Sequence, residues 1–195
     1  MTSVIALFAK APVAGRVKTR LCPPLTAQEA AEIHLQFTTL MMKTLSSFEA
    51  FASIELHTDV VTDAWSEWKV ARRLQCEGNL GDRMLHALQM GPHVMIVGSD
   101  APALPVDYLR EILDSPADVT LGPTEDGGYY AIACRAPVDV RMFAGVRWST
   151  EHTLADTIRA AEACGLSVAL GREWWDVDSG EDLQRWRDAT EGADT

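Results

Sequence analysis

Acidic residues are missing from the beginning of a chain that is otherwise rich in them. Asp and Glu number 28 against 17 Lys and Arg, a net charge of -11 at pH 7, yet no acid precedes Glu29, whereas Lys10, Arg16, Lys18 and Arg20 all do. The overall charge excludes nonspecific binding to nucleic acid, whose phosphate backbone would be repelled. The one purely cationic stretch points instead to a small anion held there. No apolar run approaches the length of a membrane span. The N-terminus also lacks the basic segment followed by a long apolar run that marks a secretory signal, so a cytoplasmic protein is expected. Cysteine is sparse: Cys22, Cys76, Cys134 and Cys164 form no C-x-x-C pair, which argues against a zinc site or a disulfide framework and for reduced thiols. There is no internal repeat, low-complexity tract or interdomain linker. At 195 residues, 47% hydrophobic and 23% charged, the chain reads as a single domain over residues 1–190 with a polar, frayed tail over 191–195.

What is present is organised around His93 to Pro105, H-V-M-I-V-G-S-D-A-P-A-L-P. Four successive apolar residues, Val94 to Val97, suit a strand covered on both faces. Gly98 allows close backbone approach, and Asp100 stands at the strand's carboxyl end. Pro105 opens a helix with Tyr108, Leu109, Ile112 and Leu113 on one face. Ligands of open α/β sheets lie outside the carboxyl ends of the strands, so Asp100 is placed where chemistry is done. It reads either as a divalent-metal ligand facing phosphates or as a capping or turn aspartate, and spacing alone leaves both open.

Ser3 to Ala9 is a buried first strand, followed by the loop K-A-P-V-A-G-R-V-K-T-R-L, Lys10 to Leu21. Gly15 permits close approach there, and Arg16, Lys18 and Arg20 can neutralise a di- or triphosphate; the plainer reading is an exposed basic loop. A Walker A motif is absent. Thr26 and Glu29 form a capping-box pattern for a long helix carrying Ala30, Ile33, Phe37, Leu40 and Met41, with His34 on its face. Ser53 to Thr58 alternates as a second strand; His57 and Asp59 near its end are given no chemistry. Trp65 and Trp68 suggest a short amphipathic helix, and Arg73 to Glu77 a short strand. Gly78 and Gly81 then mark a turn before a helix with Met84, Leu85 and Leu88. Arg83 in its first turn is a cation at the unfavourable end of the helix dipole, which hints at an anionic substrate.

Asp118 to Gly122 and Tyr130 to Cys134 flank G-P-T-E-D-G-G-Y-Y, a pattern that by itself is a hairpin turn. As chemistry, Glu125 or Asp126 could accept a proton or a sugar hydroxyl, with Tyr129 stacking on a ring. Ser149 or Thr150 is expected to cap a helix that stops at Gly165. A last strand, Leu166 to Leu170, precedes Asp176 and Asp178, which lead into a Ser179-capped helix.

Strand and helix signals alternate along most of the chain, favouring a mainly parallel sheet with helices on both faces. In order, F-A-K-A-P-V-A-G-R-V-K-T-R-L, G-N-L-G-D-R-M, G-S-D-A-P-A-L, G-P-T-E-D-G-G-Y-Y, W-S-T-E and D-V-D-S-G-E-D-L closely resemble the DUF2064 family of small bacterial glycosyltransferase-like proteins. The resemblance implies the nucleotide-diphospho-sugar transferase superfamily with its GT-A fold, a Rossmann-like three-layer α/β/α sandwich. It places Asp100 at the superfamily's metal-binding aspartate. It makes Asp178 a second ligand through a D-T-P-E-D-L-like segment, in which Ser179 and Gly180 replace Thr-Pro. Mg²⁺ or Mn²⁺ is the implied cofactor. Lys10, Gly15, Arg16, Lys18, Arg20 and Arg83 would meet the nucleotide phosphates. A small acceptor would enter near Glu125, Asp126, Gly127, Gly128, Tyr129 and Trp148, with Asp126 or Glu125 as base if the reaction inverts a sugar. Lys18-Thr19-Arg20-Leu21 also resembles the K-[ST]-R-L of guanylyltransferases acting on phospholactate, and G-S-D carries one aspartate where many glycosyltransferases carry D-x-D. Three readings follow. The first is a metal-dependent glycosyltransferase using a nucleotide-sugar. The second is a nucleotidyltransferase acting on a nucleoside triphosphate, in which Lys18 steadies the α-phosphate. The third is a non-catalytic sugar-nucleotide-binding module.

Overall fold

The computed structural model describes residues 3–135 and 138–192. Seven strands form one sheet: β1 (Ser3–Ala9), β2 (Ala52–Thr58), β3 (Ala71–Leu74), β4 (Val94–Gly98), β5 (Val119–Pro123), β6 (Tyr129–Cys134) and β7 (Val168–Leu170). Five α-helices join them: α1 (Ala27–Ser46), α2 (Leu80–Leu88), α3 (Val106–Asp114), α4 (Thr153–Ala163) and α5 (Gly180–Glu191). The strand order is β3-β2-β1-β4-β6-β5-β7. β1 runs parallel to β2 and β4, β2 to β3 and β5 to β7; β6 alone is antiparallel to its neighbours β4 and β5.

Alternation along β1 explains the layers. Successive side chains of a strand point to opposite faces. Ile5 and Leu7 pack with Met41 and Leu45 of α1, Phe48 just beyond its end, and Leu109 and Ile112 of α3. Ala6 between them faces Met84, Ala87 and Leu88 of α2 and Ala161 of α4. The result is a three-layer α/β/α sandwich of the Rossmann-like, GT-A class. A third cluster joins α5 to α1 through Leu183, Trp186 and Phe37, and encloses Trp175 and Val177. Among the described residues no helix is long and apolar enough to cross a membrane.

Helix starts follow their sequence signals where a side chain can reach the free amides. Thr26 with Glu29, and Ser179 with Asp182, both close reciprocal capping boxes. Elsewhere tertiary contacts override local pattern. Trp65 and Trp68 lie in a turn rather than a helix: Trp65 takes φ 59°, and its ring is stacked on Trp68 at 5.5 Å. The short strand expected at Arg73 to Glu77 is shifted to Ala71–Leu74 by its parallel pairing with β2. Neither Ser149 nor Thr150 caps α4, whose N-cap is His152. The tail expected to fray from 191 instead starts within α5, which includes Glu191 and is capped at Gly192; residues 193–195 lie outside the described residues.

The chain leaves the centre of the sheet in opposite directions after β1 and after β4. Parallel pairing sets Phe8 opposite Gly98, so Lys10 and Asp100 emerge side by side at this switch point, where open sheets form their ligand crevice.

Candidate active site

Asp100 leaves the end of β4, and its backbone oxygen accepts a hydrogen bond from the Val177 amide at 2.9 Å. That single bond draws the extended stretch Asp176 to Asp178 alongside it. Lys18 reaches in from the loop after β1 with only 4% of its side chain exposed. Its Nζ lies 2.7 Å from Asp100 Oδ1 and 3.0 Å from Asp178 Oδ1, and it also donates to the Val177 carbonyl at 2.5 Å. The Lys18 backbone is left-handed, φ 47° and ψ 36°, a conformation that costs a side-chain-bearing residue energy and is retained where surrounding contacts impose it. Asp100 and Asp178, far apart in sequence, thus meet on one buried ammonium.

A cleft of about 490 Å³ opens over this group. Lys10, Arg16, Lys18 and Arg20 line it from the loop, Asp100 and Asp178 from the floor, Arg83 from the first turns of α2, and Asp126 and Ser149 from the opposite side. Arg20 remains exposed, with one guanidinium nitrogen 3.5 Å from Asp178 Oδ2. Arg83 donates to the Gln75 side chain at 3.1 Å and to the Gly78 carbonyl at 3.3 Å. Gly15 supplies the left-handed turn of the loop at φ 78°.

The proposed acceptor residues divide into two groups. Asp126 faces the cleft, with its Oδ1 accepting from the Thr124 hydroxyl at 2.6 Å and from the Gly128 amide at 2.9 Å. Glu125 is held by both guanidinium nitrogens of Arg185, at 2.8 and 3.1 Å, which keeps its carboxyl below the usual carboxylate range. Gly127, at φ 85°, leaves room for the Glu151 backbone, and its carbonyl accepts from the Leu154 amide. Tyr129 is not brought to the cleft: its ring packs into the core on the α2 side, with the hydroxyl directed at the Met84 sulfur 3.9 Å away. Trp148 covers Gly81 at the start of α2, beside the cleft rather than in it.

Charge and burial compete at the floor. Burial pulls the Lys18 ammonium down, but Asp100 and Asp178, by charge and hydrogen bonding, more than offset this and hold it above the ordinary lysine value. Burial pushes Asp100 up; the Lys18 ammonium outweighs it and holds the carboxyl low. Asp176 has no such partner. Burial, with the nearby charges of Asp126, Asp178 and Asp100, pushes its carboxyl up to about 7.

Three residues of this region carry no sequence-level assignment. Asp176 is two residues from Asp178 on an extended segment, a spacing that places both on one side and is legible in retrospect. His34 belongs to the apolar face Ala30, Phe37 and Met41; it is buried, lines the cleft, and its Nε2 bonds the Lys10 carbonyl at 2.8 Å. Burial holds its imidazole below the ordinary value, hence neutral at pH 7. Asp59 accepts from the Ala11 amide and from Arg16, a contact that only the β1–β2 pairing reveals.

Among the described residues no group of three or more His, Cys, Asp or Glu side chains converges as a complete metal cage. Asp100 and Asp178 do converge on one point, marked by the Lys18 ammonium. Two carboxylates at the floor of a cation-lined cleft fit Mg²⁺, which is typically bound through one or two carboxylates with water and substrate phosphates completing its shell.

Known proteins share the sequence pattern and the fold of this chain. A family described as an uncharacterized protein conserved in bacteria (DUF2064) matches residues 38–150. The 2-phospho-L-lactate guanylyltransferase of Methanocella arvoryzae is 31% identical over 122 residues, covering 62% of this chain and 53% of that protein, so the chain spans about half the length of this relative. The enzyme of the same name from Methanosarcina mazei is 30% identical over 171 residues, covering 85% and 78%. A provisionally assigned nucleotide-diphospho-sugar transferase from Desulfovibrio desulfuricans G20 superposes with a TM-score of 0.84 at 29% identity, over 94% of this chain and 85% of that one.

Proposed function

The chain belongs to the DUF2064 family, and from that premise we propose that it is a transferase of the nucleotidyl class, joining a nucleoside triphosphate to a phosphorylated small molecule with release of pyrophosphate. The observation that carries this reading is the Lys18 ammonium, buried between Asp100 and Asp178 beneath a loop of further cations. Charge that develops on an α-phosphate during displacement is stabilised by a preorganised cation of this kind. The named activity of the two guanylyltransferase relatives favours the same class over glycosyl transfer.

An oxygen of the acceptor's phosphate would attack the α-phosphorus, forming a new P–O–P linkage as the α–β anhydride breaks and pyrophosphate leaves. Such a nucleophile is already ionised at neutral pH and needs no base. This accords with Glu125 being tied to Arg185 and with Asp126 Oδ1 being engaged in its own turn. Lys18 would reach the α-phosphate by giving up one of its two carboxylate contacts, while Arg16 and Arg20 meet the remaining phosphates. Asp100 and Asp178 would hold Mg²⁺ or Mn²⁺, which when bound neutralises phosphate charge and supports the leaving group.

Phosphorus NMR tests the assignment. The protein is incubated with each nucleoside triphosphate and a pool of phosphorylated hydroxy acids and sugar phosphates, and separately with nucleotide-sugars, in Mg²⁺, Mn²⁺ or chelator. Pyrophosphate is expected from a triphosphate only when acceptor and metal are both present. Lys18→Met should slow its release about 100-fold or more with the fold retained by circular dichroism. Nucleoside diphosphate released from a nucleotide-sugar would return the reading to glycosyl transfer, and nucleotide binding without any turnover would favour a non-catalytic module.

A further inference from the structure

We propose that Asp59 is a positioning residue for the phosphate loop, acting through Arg16; this rests on the nucleotidyl-transfer reading. Asp59 follows Thr58, whose strand partner is Ala9, so its carboxylate stands beside the loop as it leaves β1. One oxygen, Oδ1, accepts the Ala11 amide at 2.7 Å, and the other, Oδ2, takes Arg16 at 3.2 Å. Only 10% of the Asp59 side chain is exposed against 55% of that of Arg16, so the acid is the fixed member of the pair. His34 holds the preceding carbonyl, Lys10 O, from α1. Two successive residues are therefore pinned from two different elements before Gly15 turns the chain and the Arg16 amide closes back on the Val13 carbonyl at 3.0 Å. Arg16 uses one guanidinium nitrogen on Asp59, and its other N–H groups remain for phosphate oxygens. Without Asp59 the cation would keep its charge but lose its direction, and a long exposed side chain loses affinity when it must be ordered on binding.

Inorganic pyrophosphate serves as the probe, because its binding does not depend on a base. Its dissociation constant is measured by calorimetry for the wild type, Asp59→Asn, Arg16→Ala and the double variant. Asparagine retains an acceptor for the Ala11 amide and removes only the ion pair, so melting temperature should hold. Asp59→Asn and Arg16→Ala are each expected to weaken binding about five- to tenfold, and the double variant no more than about twofold beyond Arg16→Ala. Asp59→Ala, which releases the Ala11 amide as well, should weaken binding further. Losses that multiply in the double variant, or tighter binding by Asp59→Asn, overturn the role given to Asp59 while leaving nucleotidyl transfer intact. A wild-type protein that binds neither pyrophosphate nor any nucleoside triphosphate overturns both.

Discussion

Lys18 and Asp176 have opposite fates in one crowded patch. Lys18 finds two carboxylates and is held charged; Asp176 finds burial and three like charges. The sign of the second effect can be measured. An unfolded chain ionises Asp176 at the ordinary carboxylate value, whereas the folded protein retains that proton up to about 7, so stability falls as pH rises through this window and the whole penalty is present above it. Asp176→Asn cannot ionise. In chelator it should raise the melting temperature more at pH 8 than at pH 5, each kcal/mol relieved being worth about 2–4 °C in a chain of this size. An equal shift at both pH values would refute the assignment. Individual residues were legible when their chemistry was local. A strand-end aspartate after four apolar residues and four cations in an acid-free stretch mark Asp100 and the Lys10 to Arg20 loop. His34 sits among helix-face apolar residues and carries no local sign of the carbonyl it binds.

Among the elements, the β5–β6 turn and the entry to α4 form one unit. The Leu154 amide donates to the Gly127 carbonyl, and Arg147 and Arg159 converge on the buried Asp156 near the start of α4, bracing the segment that presents Ser149 to the cleft. Gly127 is the joint. A methyl group there would collide with the Glu151 backbone, and its left-handed φ strains any L side chain. Gly127→Ala should cost about 2–4 kcal/mol by urea unfolding and displace Asp126 with the turn. A loss below about 0.5 kcal/mol would show that the turn yields freely. The same unit explains why α4 starts later than a Ser149 or Thr150 cap predicts. Thr150 and Thr153 both spend their hydroxyls on the Arg147 carbonyl, and the helix begins at Thr153 without a side-chain cap. Helix caps that act within four residues, at Thr26 and Ser179, were readable; a start set by contacts with a hairpin was not.

For the molecule as a whole, acid stability follows from where its histidines lie. Burial is the leading cause that holds His34, His57 and His93 below the ordinary value of 6.5. Unfolding lets each take a proton near pH 6.5 that the folded state refuses, so stability is complete above that pH and declines as pH falls below it. Asp176 acts in the opposite sense, and the Asp176→Asn background isolates the effect. Urea midpoints in that background should begin to fall between pH 6.5 and 5, before the carboxylates protonate; a flat profile to pH 5 would contradict it. The sequence by itself determined the layered α/β class, most strand and helix positions and the cationic character of the first loop, because apolar periodicity, caps and charge placement act over a few residues. Only the tertiary structure decided that β4 lies beside β1, that the Val177 amide carries Asp178 to Asp100, and that Asp59 and His34 hold the loop. Those contacts join residues from 24 to 90 positions apart, and no local pattern encodes which strand becomes whose neighbour.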